Sequence, residues 1–150
     1  MKANTRLFGE IEVADEKIIS FINGLIGFPD MKKYTLIFDE EKENKGNIMW
    51  LQSLDEPTFA MPVMMPNVLV PDYNPVINDE LLEPLGTLTD DNLFVLVTVR
   101  VPKDPKDATI NLRAPIIINT DTCLGDQLIV DGDAPIRYPI YNQLKEKAGE

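Results

Sequence analysis

The chain contains no histidine and a single cysteine, Cys123, among its 150 residues. Without histidine the commonest general base at neutral pH is gone, so base catalysis would need a raised-pKa carboxylate or a depressed lysine. One cysteine forms no internal disulfide and has no histidine to activate it, so Cys123 reads as a small, partly buried residue near a turn. Metal sites built from His and Cys are excluded on the same count. There are only two serines, Ser20 and Ser53, and neither stands in a G-x-S-x-G setting. Gly24-Leu25-Ile26-Gly27 lacks the Gly-Lys-Ser/Thr end of a phosphate loop, and no dinucleotide fingerprint is present. No apolar run approaches the ~20 residues of a membrane helix; the longest, Leu93 to Val99, is strand length. The opening residues carry no apolar signal segment, which together with the lone cysteine predicts a cytoplasmic protein.

Positive charge is missing over a long stretch. From Gly46 through Val99 there is neither Lys nor Arg, while Asp55, Glu56, Asp72, Asp79, Glu80, Glu83, Asp90 and Asp91 put -8 of the net -11 there. The whole chain has 25 acidic and 14 basic residues, a balance that argues against binding a phosphate backbone, because that affinity comes from arranged Lys and Arg. A base-free acidic segment is either a solvated face or a field that steers a basic protein partner.

The length and the hydrophobic content of 44% suit one globular domain, with residues 1–141 forming it and 142–150 a frayed tail. Short strand-like segments dominate. Glu10 to Val13 and Lys17 to Phe21 read as an N-terminal hairpin, and Tyr34 to Phe38 as a strand ending at the charged run Asp39 to Lys45. Ile48 to Gln52 and Thr58 to Met61 read as a second hairpin, with Trp50 facing Phe59 in the core. Pro62, Pro66, Pro71 and Pro75 then demand an edge, a bulge or an ordered loop. Asn78 to Glu83 is the best short helix, with Asn78 able to cap and acids in its first turn. Leu93 to Val101 reads as a central strand, apolar enough to be buried on both faces for part of its length. Ile110 to Arg113, Ile116 to Ile118, Gln127 to Val130 and Ile136 to Ile140 follow, the last two about a hairpin turn at Asp131-Gly132-Asp133. The pattern predicts an all-β, mostly antiparallel fold, a small barrel or sandwich with one or two short helices.

Chemistry has few places to sit. Asp126, Asp131 and Asp133 form the one candidate oxygen-ligand set, but they do not match the EF-hand series and are explained as turn residues. No metal, cofactor or catalytic residue is expected. Met64, Met65 and Tyr73 lie in the proline-rich part of the base-free stretch, where methionine adapts to varied partners and tyrosine anchors interfaces. For each of them a core role competes with an interface role.

The sequence resembles the FliW family of flagellar assembly factors. Thr5-Arg6-Leu7-Phe8-Gly9-Glu10-Ile11-Glu12-Val13, the run Ile18 to Pro29 (IISFINGLIGFP), Trp50-Leu51-Gln52-Ser53, Pro71-Asp72-Tyr73 and the run Asn111 to Asn119 (NLRAPIIIN) carry the likeness in this order. Ile22, Arg113 and Tyr138 depart from the family pattern. The resemblance implies a non-enzymatic β-barrel that binds flagellin in the cytoplasm and, when free of it, binds the translational regulator CsrA and relieves repression of flagellin mRNA. It implies no direct contact with nucleic acid, a membrane or a small-molecule substrate. An acidic protein would be drawn to an RNA-binding partner electrostatically, and on that ground Asp72, Tyr73, Asp79, Glu80 and Glu83 are expected to face CsrA. Phe8, Met64 and Met65 are expected to line an apolar groove for flagellin, whose terminal segments form helices. The competing classes are a structural subunit of a larger assembly and a carboxylate-based calcium module.

Overall fold

A computed structural model gives the fold and describes residues 2–38, 48–75, 77–130 and 134–140. The charged run Asp39 to Lys45, the Asp131-Gly132-Asp133 turn and the tail 142–150 lie outside the described residues.

β1 (Lys2–Thr5) and β2 (Gly9–Glu12) form an antiparallel hairpin with Lys2 opposite Glu12 and Thr5 opposite Gly9. Its turn is closed by the Thr5 hydroxyl, which accepts from the amide of Phe8 and donates to the carbonyl of Gly9, both at 2.9 Å. Gly9 takes φ +66° to complete it, a conformation glycine adopts without a Cβ penalty. The hairpin expected between Glu10–Val13 and Lys17–Phe21 is therefore replaced by one a segment earlier. The cause is local: Asp15–Lys17 winds into a 3-10 turn, and the chain beyond it leaves the hairpin for a different sheet.

That sheet contains β3 (Ile19–Phe21), β4 (Lys33–Phe38), β5 (Met49–Ser53), β6 (Ala60–Met64), β7 (Leu93–Arg100), β8 (Thr109–Ile110), β9 (Ile116–Asn119), β10 (Leu124–Gln127) and β11 (Tyr138–Pro139). Strands β3 to β7 pair in sequence order, β7 pairs with β9, β9 with β10, and β10 returns to β3. Seven strands thus close into a barrel. All its pairings are antiparallel except the closing one, where Leu124 lies opposite Ser20 and Gly125 opposite Phe21 in parallel register. β8 and β11 extend the sheet from the far end of β7.

Alternation along the strands fills the barrel with Phe21, Tyr34, Leu51, Val63, Leu96 and Ile116, all buried in one cluster. The same alternation gives β7 and β9 a second apolar face. Val97 and Val99 join Met64, Leu69, Ile110 and Leu112 in an outer cluster, while Ile117 packs with Leu85 and Leu128 in another. Two covered faces explain the unbroken apolar runs in these strands. Gly125 allows a close approach at the closure, where a Cβ would meet the Phe21 ring at 3.2 Å and the ring would have to give way slightly.

The β5–β6 hairpin forms as expected, but Trp50 lies opposite Pro62, not Phe59. Trp50 is half-buried and meets Phe8 edge-on at 6.4 Å, whereas Phe59 packs on Phe28 at 4.5 Å. Pro62 is tolerated because the β6–β7 ladder begins only at Val63. β10 starts earlier than the sequence indicates, since Cys123 adopts φ 57° and returns its amide to the Asn119 carbonyl at 2.8 Å. α1 (Asp79–Leu82) is capped by Asn78, whose side-chain oxygen accepts from the Glu80 amide at 2.9 Å. A 3-10 turn at Glu83–Leu85 follows it.

Candidate protein-binding surfaces

The carboxylates of Asp79, Glu80 and Glu83 are brought together at α1, all exposed. The segment after the helix is fastened to the β9–β10 turn by buried amides. Asn119, fully buried, donates through Nδ2 to the carbonyls of Leu85 and Thr87 and accepts through Oδ1 from the amides of Asp121 and Thr122. Asn92 donates to the Thr87 carbonyl at 2.8 Å and to the Asp121 carboxylate at 3.0 Å. The exposed Asp90 and Asp91 therefore belong to the same pinned segment as Glu83, and Asp121 adjoins it.

Asp72 and Tyr73 stand apart from that group. Asp72 is exposed, but Tyr73 is half-buried against the Met64–Val97 cluster, and its hydroxyl donates to the Leu112 carbonyl. Burial pushes the phenol up to about 12. Tyr73 thus anchors the proline-rich loop to the sheet, and the contact that does so runs inward.

Phe8, Met64 and Met65 do not form one lining. Met64 is fully buried in the outer cluster behind β6 and β7, which removes it as a groove residue; its regular pairing with Val97 is the reason. Met65, the next residue, is 42% exposed at the start of the 3-10 turn Pro66–Val68. Phe8 sits on the hairpin turn against Trp50.

The apolar groove lies elsewhere. A cavity of about 650 Å³ opens beside β2 and β4, walled by Ile11, Val13, Ile19, Leu36, Phe94 and Ile118, with Glu12, Glu16 and Lys17 also lining it. Sequence reasoning missed this groove. Alternation points several of these side chains inward but does not tell which of them stand where the barrel interior opens.

Asp126 is a buried carboxylate whose two oxygens accept from Asn23 Nδ2 and from the Gln127 amide, each at 3.0 Å. Desolvation raises its pKa, and the two hydrogen bonds lower it in part. Its neighbour Gln127 accepts from the Ile26 amide and donates to the Ala114 carbonyl, so this pair locks the 22–27 segment onto the barrel. Among the described residues no group of three His, Cys, Asp or Glu is placed to hold a metal ion, and Asp131 and Asp133 lie outside them. No helix among the described residues is long and apolar enough to cross a membrane.

The closed strand order and the paired outer clusters define the class: a small β-barrel protein of seven strands with one short helix packed outside. A solved structure of this class, described as the crystal structure of the flagellar assembly factor FliW, matches with a TM-score of 0.84 at 27% identity, covering 94% of this chain and 97% of that one. The family model for the FliW protein matches residues 2–140, and the chain belongs to the FliW family of flagellar assembly factors. A flagellar assembly factor FliW from Lachnospira eligens is 52% identical over 98% of this chain and 99% of its own length. One from Lachnoclostridium phytofermentans is 44% identical over 96% and 93%, and one from Thermotoga neapolitana 43% over 97% and 96%.

Proposed function

We propose that this protein is a cytoplasmic, non-enzymatic regulator that binds flagellin and, when free of it, binds and antagonises CsrA. The observation that carries the reading is the exposed carboxylate group of α1 and the pinned segment after it, in a stretch of chain without a single base. Such a face attracts a protein whose own working surface is basic enough to hold RNA, and repels the RNA. Asp79, Glu80 and Glu83 form the centre of the CsrA-facing surface, with Asp72 at its margin. Tyr73 contributes by holding the loop that carries Asp72.

Flagellin is assigned to apolar surface. A helix presents its apolar face to a groove, and the 650 Å³ cavity beside β2 and β4 is the receptor this fold offers. Phe8 and Met65 are accessory contacts, each on its own part of the surface.

The test is a binding series with purified CsrA and flagellin. Reversing charge at Asp79, Glu80 and Glu83 together to Lys weakens CsrA binding at least about tenfold at low salt and flattens its salt dependence, as loss of several steering charges requires. Flagellin capture is unchanged by that variant and reduced by Ile11→Asp with Phe8→Ala, once folding is verified. CsrA affinity that is unmoved at low salt sinks the acidic-face assignment, and intact flagellin capture in the second variant sinks the groove.

A further inference from the structure

The chain has four arginines, and they divide into two pairs. Arg6 donates through Nε to the Thr58 carbonyl at 3.1 Å, and Arg113 through Nε to the Ala134 carbonyl at 2.8 Å. Both serve the fold. The side chains of Arg100 and Arg137, both exposed, have no partner among the described residues, and both residues line one pocket of about 380 Å³.

The pocket sits at the opposite end of β7 from the apolar groove, since Phe94 lines the groove whereas Thr98, Val99 and Arg100 line the pocket. Thr109, opposite Arg100 in the β7–β8 ladder, forms another part of the wall. Its residue exposure is 9%, and its hydroxyl, buried from solvent, has no hydrogen-bond partner among the described residues. Asn111 also lines the pocket and commits its Oδ1 to the amides of Arg113 and Ala114, at 3.0 and 3.1 Å. Its amide nitrogen, a donor, has no partner among the described residues. Among the described residues the lining holds no carboxylate, although the chain carries 25 of them. Arg100, Arg137 and Asn111 thus line one pocket together with the apolar Met61, Val99 and Ile136.

We propose that this pocket binds a phosphoryl dianion, either as inorganic phosphate or as the phosphate monoester of a small molecule. Two fixed positive charges match a dianion, and each arginine presents a planar fork of N–H donors that fits two phosphate oxygens. The volume exceeds what the phosphoryl group alone fills and lies within the range of small-molecule sites, and Met61 and Ile136 give an organic group something to pack against. A carboxylate would neutralise only one of the two charges.

The experiment is calorimetric titration of the full chain near neutral pH at constant ionic strength, with inorganic phosphate, glycerol 3-phosphate and acetate as separate probes. Saturable binding of one equivalent of phosphate is expected, with acetate at least about tenfold weaker. Tighter binding of glycerol 3-phosphate assigns the monoester, and equal or weaker binding assigns the free anion. Arg100→Gln and Arg137→Gln each lose about tenfold or more in phosphate affinity, because each removes a charge-assisted contact. Arg6→Gln binds as the parent does. Arg137→Lys, which keeps the charge without the fork, falls between parent and Arg137→Gln and serves if the glutamine variant is misfolded by circular dichroism. No saturable binding of either phosphate probe, acetate binding as tightly as phosphate, or parent-like affinity in folded Arg100→Gln and Arg137→Gln overturns the proposal.

Discussion

Asp126 is held out of water, with 6% of its surface exposed, and it accepts from Asn23 and from the Gln127 amide. Desolvation dominates, so its pKa is raised above 3.8. A raised folded-state value means that the native protein holds the proton more tightly than the unfolded chain does. The stability this group contributes is therefore fully present below the ordinary carboxylate pKa and is lost as pH rises through the folded value. At neutral pH the ionised side chain is a cost. Asp126→Asn keeps an acceptor for the Gln127 amide, and the exposed Asn23 can turn its amide over to accept from the new one. The variant is expected to be at least as stable as the parent in urea unfolding at neutral pH, with its advantage shrinking on acidification toward the ordinary carboxylate value. Asp126→Ala, by contrast, leaves the Gln127 amide without its acceptor and loses about 1–3 kcal/mol. Asparagine proving less stable at both pH values would show that the hydrogen bonds outweigh desolvation. None of this was legible in the sequence, where Asp126 reads as one acid of a turn, because its burial comes from Asn23 and the 22–27 segment more than a hundred residues away.

Among the elements, the acidic segment depends on Asn119 more than on its own helix. α1 has four residues, too few for helix propensity to hold it, since isolated helices below ~12 residues are marginal in water. What fixes the following segment is the buried Asn119 side chain, with its four bonds to Leu85, Thr87, Asp121 and Thr122. Asn119→Ala removes four bonds at once and leaves the Asp121 and Thr122 amides without their acceptor, and it is expected to cost at least about 2 kcal/mol. Hydrogen exchange should speed up at residues 83–92 and in the β9–β10 turn first, while the β4–β5 ladder keeps its protection. Uniform loss of protection would mean that Asn119 supports the barrel and not the segment. The sequence showed α1 through Asn78 and the acids after it, and showed β7 and β9 through their apolar runs, because those signals are local. It misassigned the N-terminal hairpin, since Lys2–Thr5 alternates too weakly to be seen as a strand and the turn read at Ala14-Asp15-Glu16 does not tell that the chain beyond it joins a different sheet. It placed β10 late because the turn ends on Cys123 in a conformation that glycine or asparagine would have advertised.

On the scale of the molecule, two facts meet: a barrel closed by a parallel pairing between β3 and β10, about a hundred residues apart in the chain, and a net charge of -11. The closure was illegible, because pairing partners at such distance leave no local pattern beyond the glycine at 125. The charge was legible in amount and in sequence position, and the fold converts that position into a face at α1 and the pinned segment. An acidic face of this kind repels itself as well as nucleic acid. Self-repulsion among exposed charges is screened as the Debye length falls from ~30 Å at 0.01 M to ~3 Å at 1 M salt. Raising sodium chloride from ~0.01 to ~0.5 M is therefore expected to raise the thermal midpoint by a few degrees, equivalent to about 1 kcal/mol. Chloride is chosen over phosphate so that the arginine pocket does not add a binding term. Neutralising the face as Asp79→Asn, Glu80→Gln, Glu83→Gln, Asp90→Asn and Asp91→Asn should raise the low-salt midpoint and remove most of the salt response. A parent midpoint that is flat or falls with salt would mean that favourable charge pairs elsewhere, such as Lys2 opposite Glu12 in the β1–β2 hairpin, outweigh the repulsion. The field assigned to steering a basic partner would then be too weak at this distance to do so, and binding at the face would have to rest on contact chemistry alone.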